Sequence, residues 1–117
     1  MPSFEQGDVI KVPFPYTDRP TRQSRPALVV STGAIEDAHG LLWVVMITSA
    51  ENRGWPGDVQ VNNLAAAGLP APSAIRTAKI ATIEASDAAR LGRVSPAVLR
   101  QVANRIKKVL EFGAAVD

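Results

Sequence analysis

The chain has 117 residues, of which 46% are hydrophobic and 21% are charged, and its formal net charge is +2. This length predicts a single folded domain over residues 1–117, and this composition excludes a disordered chain. Cysteine is absent, which excludes disulfide frameworks, thiolate metal sites and cysteine nucleophiles. Residues 1–8 lack the features of a signal peptide, and the longest apolar run, residues 41–47, is too short to span a membrane. We therefore expect a cytoplasmic protein that does not enter a membrane.

The first patterned stretch is a pair of predicted strands joined by a long polar loop. Side chains alternate over residues 10–14, which predicts a half-buried strand, and residues 27–30 are continuously apolar. The segment between them is longer than a tight hairpin turn. In and beside it lie one acid and three arginines, namely Asp18, Arg19, Arg22 and Arg25. Because a long loop costs closure entropy, we expect this one to have a binding role.

The next segment pairs a polar connection with a strongly apolar run. Residues 32–40 predict a loop closed by glycine, with His39, the one histidine of the chain, as a solvated turn residue. Residues 41–47 are continuously apolar and predict a central strand buried on both faces. The predicted strand ends at Thr48 and Ser49.

The middle of the chain is rich in turn residues. Residues 51–58 predict a loop and residues 59–61 a short strand. Trp55 in that loop either packs over one end of the core or stacks on a base or a partner. Residues 62–72 predict a second loop, with one helical turn at residues 64–67.

The last third combines further strand signals with two predicted helices. Residues 73–76 and 79–83 alternate well enough to form two strands or one bent strand. Ser86 or Asp87 is expected to cap a short helix that closes at Gly92.

A longer helix begins at Ser95 and Pro96, a capping hydroxyl followed by proline, and is expected to end at Gly113. Its apolar positions recur at helical spacing: Val98, Leu99, Val102, Ile106, Val109 and Leu110. Lys107 and Lys108 suit the helix dipole near its C-terminal end. Strands that follow one another through loops favour an antiparallel, curved sheet or small barrel.

Three motifs together resemble the MazF/PemK-like toxins, the endoribonuclease halves of bacterial toxin–antitoxin pairs. They are GDVI at residues 7–10, PFP at residues 13–15 and RPALV at residues 25–29. The resemblance implies a mainly β (α+β) fold, an SH3-like barrel of five to seven antiparallel strands with a C-terminal amphipathic helix, as in MazF, PemK and CcdB. It also implies a metal-independent, sequence-selective endoribonuclease without a cofactor, which forms a homodimer and leaves a cyclic phosphate and a 5′-hydroxyl. The implied partners are single-stranded RNA and a cognate antitoxin with a disordered acidic tail.

The chemistry of such an enzyme suggests which residues form the site. Cleavage without a metal needs a base, a cation for the phosphorane and a proton donor, and arginine suits the cationic role because its planar fork matches phosphate oxygens. By the resemblance, Arg25 is the active-site arginine of the family's Arg-Pro motif, and Thr48 is its threonine after the third strand. Arg76 resembles the arginine of a later motif that ends in Thr-Ile, here residues 82–83. The resemblance thus implies catalytic roles for Arg25, Thr48 and Arg76. Arg19, Arg22 and Ser49 are expected to contact RNA.

Two departures from the family pattern leave the acid–base groups open. PemK-type members carry an Asp where this chain has Ala78, and the first-loop histidine of some members is missing. Asp18 or Glu51 is then a candidate carboxylate at the RNA site, or the arginines act alone at a reduced rate. In a third interpretation the chain is a non-catalytic barrel that binds RNA or an antitoxin. A CcdB-like gyrase inhibitor is disfavoured because residues 113–117 lack an aromatic C-terminal end.

Overall fold

The computed structural model describes residues 3–15, 23–52 and 54–111. Its strands are β1 (Asp8–Phe14), β2 (Gln23–Val29), β3 (Leu41–Ser49), β4 (Val59–Gln60), β5 (Ser73–Glu84) and β6 (Ala89–Arg93). Its helices are α1 (Gly33–His39), α2 (Leu64–Ala67) and α3 (Pro96–Val109), and a 3-10 turn covers Ala85–Asp87. None of the helices in these ranges is long and apolar enough to cross a membrane.

The described strands form one curled antiparallel sheet in the order β4-β5-β3-β2-β1-β6. β5 is a single long strand that bends, because its pairing with β3 shifts register between Val45 and Met46. The expected mainly β fold with a C-terminal helix is therefore confirmed, as is one of the two interpretations of residues 73–83. Antiparallel order follows from short connections, which bring each strand back beside an earlier one.

β3 lies at the centre of the core and is buried on both faces over most of its length. Val45 packs in one cluster with Val98 and Val102 of α3, whereas Val44 packs in a second cluster with Val12 of β1. Adjacent residues of a strand point to opposite faces, so a continuous apolar run supplies both clusters. The prediction for this strand is confirmed from residue 44 onward.

Helix α2 ties the loop after β4 to the last strand. A Cβ added at Gly92 of β6 would collide with the backbone of Ala66 and Ala67, and one added at Gly68 would collide with the backbone of Leu91. The backbones approach this closely because both positions lack a side chain. The segment after β4 is therefore held against β6, where it forms one wall of the cleft described below.

Two local predictions were wrong. Residues 32–40 hold helix α1 rather than a loop, with Gly40 as a left-handed C-cap (φ 67°) and with the Glu36 carboxylate accepting bonds from the N–H groups of Ser3 and Phe4. His39 consequently lies in the last turn of a helix. The expected short helix ending at Gly92 is a 3-10 turn followed by β6, because pairing with β1 fixes this segment as a strand.

The other two predicted helices are confirmed. α2 is the expected turn at residues 64–67, and α3 begins after Ser95, whose Oγ accepts a bond from Val98 N over 3.3 Å. The N-terminal part of the apolar stripe packs on the sheet. Its last two members, Val109 and Leu110, are 83% and 55% exposed. The helix ends at Val109, with Leu110 as its C-cap, which is earlier than the expected end at Gly113, itself outside the described residues.

Candidate active-site cleft

The register of the sheet places the three predicted catalytic residues on one face of three adjacent strands. Ala27 of β2 pairs with Met46 of β3, which on its other side pairs with Arg76 of β5. Arg25 and Thr48 each lie two residues along the strand from that row. Because side chains alternate across a strand, Arg25, Thr48 and Arg76 share a face near one end of the sheet.

Two of these residues line a common cleft of about 400 Å³. Its polar lining consists of Lys11, Ser24, Arg25, Thr48, Ser49 and Ser73. Its opposite wall is the apolar segment of residues 68–72 together with Leu91, the region that the close contact between α2 and β6 holds in place. Cations and hydroxyls facing an apolar wall could receive a phosphate on one side and the flat surface of a base on the other.

Thr48 is held by the turn that follows β3. Its side-chain oxygen accepts a 2.7 Å hydrogen bond from Nδ2 of Asn52, and the residue is 5% exposed. Ser49 Oγ accepts a 3.2 Å bond from the N–H of Glu51. Since Thr48 uses its oxygen as an acceptor, its proton can be donated to a third group. No local sequence signal pointed to Asn52.

Arg76 does not line this cleft but lies in a closed cluster beside it. Its Nε and Nη2 donate to Oδ1 and Oδ2 of Asp58 over 3.3 and 3.1 Å. The two side chains are only 8% and 9% exposed. The ring centre of Trp55 lies 4.4 Å from the guanidinium carbon of Arg76. The positive charge of Arg76 is therefore compensated within the protein.

Trp55 packs on β5. Besides Arg76 it approaches Lys79, whose Nζ lies 5.6 Å from the ring centre, and it remains 39% exposed. The sequence left open packing over one end of the core or stacking on a base or a partner; the ring is not among the side chains of either apolar cluster and lies instead on Arg76 and Lys79. A contact between Trp55 and a base is not tested by this arrangement.

Of the remaining predicted site residues, Asp18, Arg19 and Arg22 lie outside the described residues. Glu51 is exposed in the turn directly after β3, next to Ser49 of the cleft. His39, at the end of α1, is not among the cleft-lining residues.

Two residues of this region were missed from sequence. Lys11 is an exposed position of β1 that lines the cleft. The sequence feature that could have identified it is a single cation between two apolar strand positions. Asp58 follows Gly57 in a turn just before a short strand, a weak signal that many surface turns share. Among the described residues, no three His, Cys, Asp or Glu side chains are grouped so that they could hold a metal ion.

The described fold is a half-barrel, a curled six-stranded antiparallel sheet with a C-terminal helix, and it has a cationic cleft at the strand ends. A family model for the PemK-like, MazF-like toxin of type II toxin-antitoxin systems matches residues 5–110. The chain therefore belongs to the PemK/MazF-like toxin family, as the motifs at residues 7–29 indicated.

Solved structures of this family have the same fold. MazF of Deinococcus radiodurans matches with a TM-score of 0.76 at 22% identity, covering 92% of this chain and 96% of that one. A MazE–MazF complex from the same organism matches with a TM-score of 0.71 at 20% identity, covering 94% and 97%. An endoribonuclease in complex with its cognate antitoxin, from a mycobacterial species, matches with a TM-score of 0.70 at 20% identity, covering 94% and 95%. No match was found among curated protein sequences.

Proposed function

We propose that this chain is the toxin of a toxin–antitoxin pair and that it cleaves single-stranded RNA, chiefly mRNA in the cytoplasm, at selected sequences to inhibit growth. The observation that carries the proposal is that Arg25 and Thr48 line the same cleft in a member of the PemK/MazF-like family. A structural relative with the same fold is named an endoribonuclease, which supports the activity.

The cleft residues support a transesterification that needs no metal. The ribose 2′-oxygen loses its proton to a base and bonds to the adjacent phosphorus, which gives a phosphorane with added negative charge. The 5′-oxygen then leaves and takes a proton, so the products are a 2′,3′-cyclic phosphate and a 5′-hydroxyl. The fork of Arg25 stabilises the added charge and the hydroxyl of Thr48 donates to a phosphate oxygen. We propose Arg76 as the second cation of this face.

We propose Asp18 or Glu51 as the carboxylate that acts as base or acid, unless the arginines act alone at a reduced rate. Glu51 is exposed directly after the cleft residue Ser49, and Asp18 belongs to the arginine-rich loop. Either can exchange protons with the ribose hydroxyl or the leaving oxygen. The RNA backbone is proposed to follow Arg19 and Arg22 into the cleft, where Ser49 contacts it.

Two protein partners are proposed, one for the cleft and one for exposed apolar side chains elsewhere. We propose that a disordered, acidic tail of a cognate antitoxin covers the cationic cleft; relatives of the same fold are described in antitoxin complexes. We also propose a homodimer. Several large apolar side chains are exposed on the described surface, and a second copy of the chain would bury them in an interface. They include Trp43 (47%), Ile80 (52%) and Val109 (83%).

The test is incubation of the purified protein and Arg25→Ala with a long single-stranded RNA in EDTA, followed by mapping of the fragment ends. We expect cuts at a short recurring sequence, retained in EDTA and lost in Arg25→Ala. RNA that stays whole while still bound contradicts cleavage. That result supports the second candidate, a non-catalytic barrel that binds RNA or an antitoxin, which Ala78 in the place of the family's Asp favours.

A further inference from the structure

The guanidinium of Arg76 is held on its edge by Asp58 and against its face by Trp55. Two hydrogen bonds of 3.3 and 3.1 Å join the fork to the carboxylate, and the indole centre lies at 4.4 Å. A buried ion pair is often no more stabilising than apolar residues of the same volume. The burial of this charge pair beside the cleft is therefore weak evidence that its role is only to stabilise the fold.

Asp58 is itself fixed by the turn that carries it. Its Oδ2 accepts a 3.0 Å bond from the N–H of Trp55, and its own N–H donates to the Trp55 carbonyl over 3.1 Å. The turn passes through Gly57 (φ 90°), whose carbonyl accepts a 3.0 Å bond from the hydroxyl of Thr77 on β5. The carboxylate is thus anchored to β5 by the backbone as well as by Arg76.

We infer that Asp58, on the loop before β4, is a positioning residue for Arg76. This inference rests on the proposed function. Both carboxylate oxygens accept hydrogen bonds, from Arg76 and Trp55, which suits holding a cation in place rather than removing a proton.

The fixed guanidinium lies outside the cleft lining, and in the proposed reaction it acts as a second cation on the same face of the sheet. Arg76 shares a face of the sheet with Arg25 and Thr48, and its row on β3 is two residues, or roughly 7 Å, from Thr48. A cation whose side chain is already ordered needs no rearrangement in the transition state, so little conformational entropy is lost as charge develops on the phosphorane. Asp58 and Trp55 provide that order before RNA binds.

The test compares Asp58→Asn, Arg76→Gln and the double variant in cleavage of a short RNA, with kcat and KM measured separately. Misplacing Arg76 affects the transition state, so we expect each single variant to lower kcat on the order of 10- to 100-fold, with KM changed less than about threefold. Because Asp58 acts through Arg76, the double variant should be no slower than Arg76→Gln. Effects that multiply in the double variant, or an Asp58→Asn kcat within about twofold of wild type, overturn the inference.

Two controls keep the result readable. The double variant leaves no buried charge unpaired, so it can be assayed even if Asp58→Asn fails to fold, and a double variant slower than Arg76→Gln then overturns the inference. Glu84→Gln removes an exposed carboxylate from the far end of β5 and should leave kcat unchanged. A wild-type protein that leaves RNA whole contradicts the proposed function and this inference together. An active wild type with an equally active Asp58→Asn contradicts the inference alone.

Discussion

Arg25 and Arg76 lie on the same face of the sheet in opposite surroundings. Arg25 is half-buried and borders a cleft of about 400 Å³ with hydroxyls beside it. Arg76 is enclosed by Asp58 and Trp55, with 8% of its side chain exposed. The open arginine lines the space that an incoming phosphate would enter, and the closed arginine is buried against Asp58 and Trp55. Changes at the open site should therefore alter function with little effect on the fold, and changes in the closed cluster should alter both.

The largest effect on activity is expected at the open arginine. Arg25→Ala should lower the rate of RNA cleavage by about 10²–10³-fold, because a donor aimed at the developing charge is removed. Its free energy of unfolding should change by less than about 1 kcal/mol, since the side chain is half-exposed. Arg25→Lys keeps the charge but not the planar fork, so its cleavage rate should lie between those of wild type and Arg25→Ala. A cleavage rate unchanged in Arg25→Ala would remove the open site from the mechanism.

The closed cluster should show the largest effect on stability. Asp58→Ala leaves the buried charge of Arg76 without its carboxylate, and we expect a loss of about 3–5 kcal/mol in the free energy of unfolding, measured in urea. The matched variant is Asp58→Ala with Arg76→Met, which removes both charges and should recover most of the loss. A loss below about 1 kcal/mol for the single variant would show that the pair is solvated rather than closed.

The wall of the cleft can be loosened at a single glycine. Gly92→Ala places a methyl group against the backbone of Ala66 and Ala67, and should lower the free energy of unfolding by about 1–3 kcal/mol. Gly54→Ala is the matched control because its Cβ would meet no atom within 4 Å, and it should change stability by less than about 0.5 kcal/mol. Equal effects of the two substitutions would contradict the close contact between α2 and β6.

The smallest effect is expected from the exposed lysine of the cleft. Lys11→Ala should weaken RNA binding several-fold and reduce the slope of log affinity against log salt by about 0.7, the loss of one contact to a single-stranded phosphate. Lys107→Ala, at the exposed end of α3, removes the same charge away from the cleft and should leave affinity and slope unchanged. Affinity that falls equally in both variants would indicate a diffuse charge effect.

Most of the fold and half of the proposed site were readable from local patterns. The strands of residues 10–14 and 41–47 and the Ser95–Pro96 start of α3 all depend on signals within a few residues. The sequence left open whether residues 73–83 form two strands or one bent strand, and pairing with β3 decides for one. Arg25 and Thr48 were singled out by their resemblance to family motifs, each near a strand end, and their catalytic roles stay predictions. The register of β2 and β3 then brings them to one cleft.

The elements that were missed depend on contacts between distant segments. Asp58 and Arg76 are 18 residues apart and meet through the turn that packs on β5, so neither residue alone signals the pair. β6 reads locally as a helix, and pairing with β1 overrides that preference. Helix α1 was missed because Gly40, a C-cap, was interpreted as the end of a loop.

The central claim is that this cleft cleaves RNA through the ribose 2′-hydroxyl with the help of Arg25. Its most direct test is single-turnover cleavage, in EDTA, of two short RNAs that differ by one 2′-deoxy substitution at the mapped cut site. We predict that wild type cuts the all-ribose RNA to a cyclic phosphate and a 5′-hydroxyl, leaves the 2′-deoxy RNA whole, and loses most of its rate in Arg25→Ala. Cleavage of the 2′-deoxy RNA at an equal rate, or an Arg25→Ala variant as fast as wild type, would contradict it.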